Sequence, residues 1–500
     1  MQRTRQINLH EIADEALRER GLRTDFSAEA KRQAAAVELP DFSALKIPDL
    51  SALPWSSIDN DDSKDLDQVE CATVEGKRTR ILVGIADVAA VIPKDSPLDQ
   101  HARNNTTSVY TGVQTYPMLP PRLSTDLTSL NESEKRLAVV IEAVVSKEGE
   151  VESFKVYPAI VQNKAQLTYE AVAAWLEDHQ PADSEITQRM LEKIRANPEL
   201  QAQLKIQDEA AQALRRNRHE NGALVFGTQQ LRPTIEPDGS IHLAAQKSNR
   251  ATQLIEEFMV AANQSVLEYL DSKGYPDLER IVREPERWQR MVELAAEHDG
   301  DLPAQPDGKA LAKFLVSQER KDPDRFPDLS LAMIKLMGRG EYVMKAPGQK
   351  GEGHFGLAVP GYGHTTAPNR RFPDLIKQRI LHAAFEGKKS PYNRAELQEL
   401  ATRCSMMEQA ASKAERQVHK SIAALALQDR IGEKFSGFIT GAGEKGVWVR
   451  IANPPVEGKV EGLTAGLKVG DQVEVRLLST NVERGYIDFG VVDFGKRRRR

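Results

Sequence analysis

Apolar periodicity changes character twice along this chain, so neither an all-helical nor an all-strand fold accommodates it. From 58 to about 157, β-branched runs of strand length at 80–85, 138–145 and 152–156 are separated by Pro and Ser/Thr clusters, the text of a sheet-bearing core. From about 168 to 428, apolar residues recur at i, i+3/i+4 over 169–176, 185–216, 251–270, 284–298, 311–317, 375–385 and 394–427, so helices dominate. Gly-rich interruptions at 338–340 and 348–363 read as loops brought to a site. From 431 the text turns to five short strands, 434–439, 447–451, 458–460, 472–478 and 486–490, with Gly between them. Five strands in so short a span predict a small barrel, with the OB type the leading candidate. Ahead of the core, 9–21 and 27–36 read as short helices, the second capped by Asp25 or Ser27, and Pro40, Pro48 and Pro54 mark an extended linker. The predicted class is α+β in four regions: a helical N-terminal region and linker at 1–50, a mixed sheet core surrounded by helices at 51–430, a barrel at 431–492 and a basic tail at 493–500.

Composition narrows the function classes. The 500 residues carry 68 Lys and Arg against 73 Asp and Glu, a net charge of −5. Taken alone, that balance argues against a simple electrostatic nucleic-acid binder or a polybasic membrane clamp. The two cysteines, Cys71 and Cys404, sit in no CxxC pair, so no zinc site is readable and a reducing cytoplasm is expected. The first ten residues lack an apolar signal core, and the apolar stretch 81–92 is short and interrupted by Asp87, so no membrane partner is expected.

The sharpest local feature is Ile58-Asp59-Asn60-Asp61-Asp62-Ser63-Lys64-Asp65-Leu66-Asp67-Gln68, with five carboxylates in nine residues. Such density costs repulsion unless water solvates the charges or a cation neutralises them. Three readings follow: a solvated acidic loop, a calcium loop and a catalytic site for a hard divalent cation. The calcium reading places Asp59, Asp61, Ser63, Asp65, Asp67 and Glu70 at EF-hand ligand positions, but the turn glycine is Lys64 and strand text follows.

Read with what surrounds it, this segment resembles the catalytic RNB domain of the ribonuclease II/ribonuclease R exoribonuclease family. The family motif runs Ile-Asp, five residues, Asp, any residue, Asp-Asp, and Asp59, Asp65 and Asp67 match its first three acids. Further blocks follow in order: Val83-Gly84-Ile85-Ala86-Asp87-Val88, Tyr116-Pro117-Met118-Leu119-Pro120, Gly222-Ala223-Leu224-Val225-Phe226, Ile255-Glu256-Glu257-Phe258, and His354-Phe355-Gly356-Leu357 with Thr366-Ala367-Pro368-Asn369-Arg370-Arg371. The resemblance covers roughly 26–430, and the strands from 431 resemble the RNA-binding OB fold of the ribosomal-protein-S-one type.

The resemblance implies a Mg²⁺-dependent, processive 3′→5′ exoribonuclease, with Mn²⁺ a possible substitute. It would act as a monomer on single-stranded RNA and release nucleoside 5′-monophosphates. Asp59, Asp65 and Asp67 would hold the metal, Asp65, Asp67 and Arg370 would carry catalysis, and Arg370 would steady charge on the scissile phosphate. Tyr110, Phe226, Glu256, Arg371 and Tyr169 match RNA-contacting positions. In the barrel, Phe435, Phe438, Trp448 and Arg450 are candidates for a stacking face, and Lys496 to Arg500 for phosphate contacts. Family members carry cold-shock domains ahead of the catalytic domain. The roughly 45–55 residues here are too few for one such barrel, which implies a more open channel mouth.

One departure stands out. The family's fourth acid falls at Gln68. Gln offers a carbonyl oxygen to a metal or a water, but no negative charge. An alternative reading is therefore a catalytically impaired, RNA-binding relative.

Overall fold

Two-residue spacing of apolar side chains in the first third of the chain builds one sheet. The computed structural model describes residues 8–494 except 180–183, 228–229, 236–240, 247, 324, 444–445, 452 and 463. The strands are β1 (Ser56–Asp59), β2 (Gln68–Glu75), β3 (Arg78–Ala86), β4 (Lys135–Val145), β5 (Val151–Gln162) and β6 (Ala165–Thr168), in the order β5-β4-β3-β2-β1-β6. Every neighbouring pair is antiparallel except β1 with β6. Between β2 and β3 a two-residue turn begins at Gly76, whose φ of +64° suits a tight hairpin. Gly149, between β4 and β5, has φ +82°, and a Cβ there would lie 2.0 Å from the carbonyl oxygen of Ala213. Only glycine lets that turn meet the helix beside it.

Helices bury the sheet. The main core joins Ile58, Val83, Ile85, Val139 and Ile141 to Phe258 of α1 (Arg250–Ser272) and to Phe372 and Leu375 of α2 (Phe372–Phe385). The expected helix at 185–216 is two helices, Glu185–Ala196 and Pro198–Glu220. Asn197 caps the second and Pro198 opens it, because proline cannot donate to the preceding turn. Ser27, not Asp25, caps the helix Ala28–Ala36. Phe326–Met337 and Pro97–Asn105 are helices that periodicity did not reveal.

The 33-residue helix α3 (Arg394–Ala426) links this body to the barrel. The N-terminal helix Leu9–Arg18 packs Ala13, Ala16 and Leu17 against Ala411, Ala414 and Val418 of α3. The five barrel strands, Lys434–Gly443, Gly446–Ile451, Glu457–Glu461, Gln472–Asn481 and Tyr486–Phe494, close into a barrel. Its core of Ile439, Val449, Val475 and Phe489 continues into Ala424 and Leu427 at the end of α3. Residues 496–500, the expected phosphate-binding tail, lie outside the described residues. Among the described residues no helix is long and apolar enough to cross a membrane. Cys71 and Cys404 are both buried and unbridged.

Candidate active site

The loop joining β1 to β2 carries the acids, and its shape comes from one apolar residue among them. Leu66 is 1% exposed, and burying it pulls Asp67 inward while Asp61 and Asp62 stay in solvent. Ser129 fixes the loop, accepting at Oγ from the Leu66 N–H (2.9 Å) and donating to the Lys64 carbonyl (2.8 Å). Leu130 N–H donates to the Leu66 carbonyl and Ala86 N–H to that of Asp67, both at 2.9 Å. The acidic loop is therefore held on both sides by backbone hydrogen bonds.

Asp67 is the hub. Its carboxylate is 1% exposed and accepts from the Asn369 N–H and from Arg370 Nε, each at 3.0 Å. Burial pushes its pKa up to about 7; Arg370 opposes that shift and Asp65 adds to it. Asp59 accepts from Ser63 Oγ and the Asn60 N–H at 2.8 Å, yet burial still raises its pKa. Tyr110 donates its hydroxyl to Asp65 at 2.9 Å, while its ring remains 40% exposed.

Arg370 lies just before α2 and stays 45% exposed. Burial works against its charge, but Asp67, Asp59 and Asp65 hold it firmly protonated. Nε is its one hydrogen-bonded side-chain nitrogen among the described residues, so the two terminal nitrogens are available to a ligand. The strap that carries Tyr110 also fixes Arg370: Ser108 N–H and Thr107 Oγ donate to the Arg370 carbonyl at 3.0 and 3.1 Å. One segment thus orients the partners of both Asp65 and Asp67.

The structure thus gathers Asp59, Asp65, Asp67, Tyr110 and Arg370. Tyr169 joins them from the end of β6: burial raises its pKa, and the Asp59 carboxylate adds to the shift. The other expected residues lie elsewhere. Arg371 is turned inward, donating from one terminal nitrogen to Asp374 at 2.8 Å and to Thr366 at 3.3 Å, which ties it to a carboxylate that is 0% exposed. Phe226 packs with Trp288, Phe326 and Met333 in a separate apolar cluster. Glu256 is paired with Arg218 at 2.9 Å. In the barrel, Phe435 is buried edge-to-face on Phe489 and belongs to the core, whereas Phe438, Trp448 and Arg450 share the outer face.

Three groups take surroundings that the sequence reading did not give them. Asn369 was visible only as motif text, but its N–H holds Asp67 and its side chain pairs with Thr128. Gln68 is buried and donates from Nε2 to the Ile58 carbonyl at 3.4 Å. Glu70 is 0% exposed, and neither carboxylate oxygen has a hydrogen-bond partner. Its place two residues after Gln68 on a strand was the available signal.

The donor chemistry fits a hard divalent cation: three carboxylates, at Asp59, Asp65 and Asp67, face one guanidinium, and a fourth, Glu70, is buried without a partner and feels the charge of Asp59. As they stand, no three acidic, His or Cys side chains among the described residues are close enough together to ligate one ion. Arg370 occupies Asp67 and Tyr110 occupies Asp65.

Comparison with known proteins agrees with this geometry. The RNB domain profile matches residues 47–387, and the profile of the RNase II-type exonuclease C-terminal S1 domain matches 433–492. Ribonuclease R of Escherichia coli is 30% identical over 493 residues, covering 91% of this chain; the chain spans 58% of that relative's length. The solved structure of Mycoplasma genitalium RNase R in complex with ribose methylated single-stranded RNA superposes with a TM-score of 0.85 at 20% identity, covering 97% of this chain and 78% of the other. Yeast Ssd1, a pseudonuclease, superposes with a TM-score of 0.71 at 15% identity, covering 94% of this chain and 58% of the other. The chain belongs to the RNB-domain family, and its C-terminal barrel is an RNase II-type S1 domain.

Proposed function

We propose that this protein is a Mg²⁺-dependent exoribonuclease that degrades single-stranded RNA from the 3′ end, processively, to nucleoside 5′-monophosphates, as a cytoplasmic monomer. The observation that carries the reading is the Arg370–Asp67 pair set between two further carboxylates, Asp59 and Asp65. Asp59, Asp65 and Asp67 would hold the cation, and Mn²⁺ would serve in its place. A bound divalent cation supplies polarisation of the phosphate and activation of the attacking water.

The chain's own residues set the geometry. The terminal nitrogens of Arg370 meet the scissile phosphate, whose oxygens match the guanidinium fork. Turning toward the phosphate loosens the hold of Arg370 on Asp67 and frees that carboxylate as a donor. Tyr110 orients Asp65 by its hydroxyl and, 40% exposed as a residue, offers its ring to a base. Asn369 keeps Asp67 in place throughout. As water oxygen bonds to phosphorus, the 3′ oxygen of the preceding nucleotide leaves with a proton, and Arg370 steadies the charge that develops on the phosphate.

A second reading, a catalytically impaired RNA-binding relative, draws on Gln68 and on the pseudonuclease neighbour. The retained Asp67 and Arg370 favour the enzyme. The test is to incubate uniformly labelled single-stranded RNA, with a free or a phosphorylated 3′ end, in Mg²⁺ or EDTA. Mononucleotide release in Mg²⁺ that needs the free 3′ end supports the enzyme. Tight binding without release in Mg²⁺ or Mn²⁺ supports the second reading.

A further inference from the structure

Glu70 is the most anomalous side chain in the described residues. It lies in the middle of the sheet, opposite Ser56 of β1 and Val83 of β3, and none of its surface reaches solvent. Both oxygens lack a hydrogen-bond partner, and so does the hydroxyl of Ser56 across the strand. An isolated buried carboxylate is among the costliest groups a fold can carry, and it is kept only where a proton or a cation neutralises it. No basic side chain pairs with it among the described residues; the charge that bears on it is another carboxylate, Asp59.

Its position gives a reason for its presence. Residues two apart on a strand project from the same face, roughly 6.5 Å apart. Gln68, where the family pattern has an acid, and Glu70 are such a pair on β2. Gln68 is neutral and its amide nitrogen is turned to the Ile58 carbonyl. Glu carries one more methylene than Asp, so its carboxylate reaches farther from the backbone. Asp59, the first acid of the cluster, ends β1, the strand that pairs with β2 at Glu70. The charges of Asp59 and Glu70 both raise the pKa of Tyr169.

We propose that Glu70 supplies the fourth carboxylate of the cation site, displaced two residues along β2 from Gln68. This rests on the metal-dependent reading above and deepens it. The competing explanation is a permanently protonated carboxyl with a purely structural role.

The experiment is Mn²⁺ binding to the full chain, followed by calorimetric titration and by Mn²⁺ electron paramagnetic resonance, with folding checked by circular dichroism in EDTA. In Glu70→Gln, the Mn²⁺ affinity is expected to fall at least about tenfold. Adding Gln68→Asp to that variant is expected to restore it. Gln68→Asp alone, with Glu70 intact, is expected to change the affinity less than about threefold, because the fourth charge is already present. Wild-type affinity in folded Glu70→Gln overturns the proposal while leaving the metal reading intact. So does a tenfold gain in Gln68→Asp alone, which decides the question even if Glu70→Gln does not fold. No Mn²⁺ binding by the wild type overturns the metal reading itself.

Discussion

The acid-bearing end of the sheet and the C-terminal barrel treat charge in opposite ways. The barrel puts Ile439, Val449, Val475 and Phe489 inside and leaves its ion pair Lys459–Glu461 in solvent, each side chain about half exposed. That arrangement gives up little stability, because exposed pairs contribute little and a core of this kind contributes much. The sheet end encloses Asp67 and Glu70, at 1% and 0% exposure, and pairs only the first with a cation. A fold retains so unfavourable an arrangement where chemistry needs it. The barrel offers a half-buried aromatic face at Phe438 and Trp448, suited to sequence-tolerant stacking. On the proposed function, that difference would put bond-breaking at the sheet end and grip in the barrel.

Four substitutions sharpen or break that contrast. The largest effect is expected from Arg371→Ala. It leaves Asp374, at 0% exposure, with the Ala367 N–H but no cation, and loss of a buried ion-pair partner costs about 3–5 kcal/mol. Denaturant unfolding measures it; a loss below about 1 kcal/mol would return Arg371 to the RNA. Arg370→Ala is expected to lower turnover by about 10²–10³-fold while RNA affinity changes far less. Single-turnover cleavage set beside a binding isotherm separates the two, and a large binding loss with turnover preserved at saturation would remove Arg370 from the transition state.

The third concerns pH. Burial raises the Asp67 pKa to about 7 in the fold, against 3.8 unfolded, so the folded state holds this proton more tightly. Its stabilising contribution is present below about pH 4 and fades as pH rises through 7. Without divalent cation, Asp67→Asn should therefore gain on the wild type by about 3–4 kcal/mol between pH 4 and 8. A stability difference flat across that range would mean the carboxylate is already ionised at low pH. The smallest effect is expected from Trp448→Ala, a loss of about 1–3 kcal/mol in RNA affinity with cleavage of short RNA retained. Lost cleavage in a folded variant would tie the barrel to the chemistry.

How much of this was legible follows from the range of each interaction. The acidic loop is local, so spacing alone placed Asp59, Asp65 and Asp67 near one another. Arg370 joins Asp67 across 303 positions, and only the family blocks pointed to it. Which of two adjacent arginines turns outward depends on the chain path before α2, so Arg370 and Arg371 read alike in sequence. The break at Asn197-Pro198 was written in turn residues but overrun by an unbroken apolar period. Glu70 read only as a calcium-loop position, and its burial was not legible because β2 is buried on both faces from Gln68 to Ala72, which alternation does not announce.

The central claim is that the chemistry resides in the buried acids of the sheet end and the grip elsewhere. Mononucleotide release and RNA affinity, measured together on one 3′-accessible single strand with wild type and Asp67→Asn in Mg²⁺, test it most directly. The account predicts release slowed by at least about 10³-fold with affinity kept within about threefold. Release at the wild-type rate from Asp67→Asn, in a preparation free of other nucleases, would contradict it.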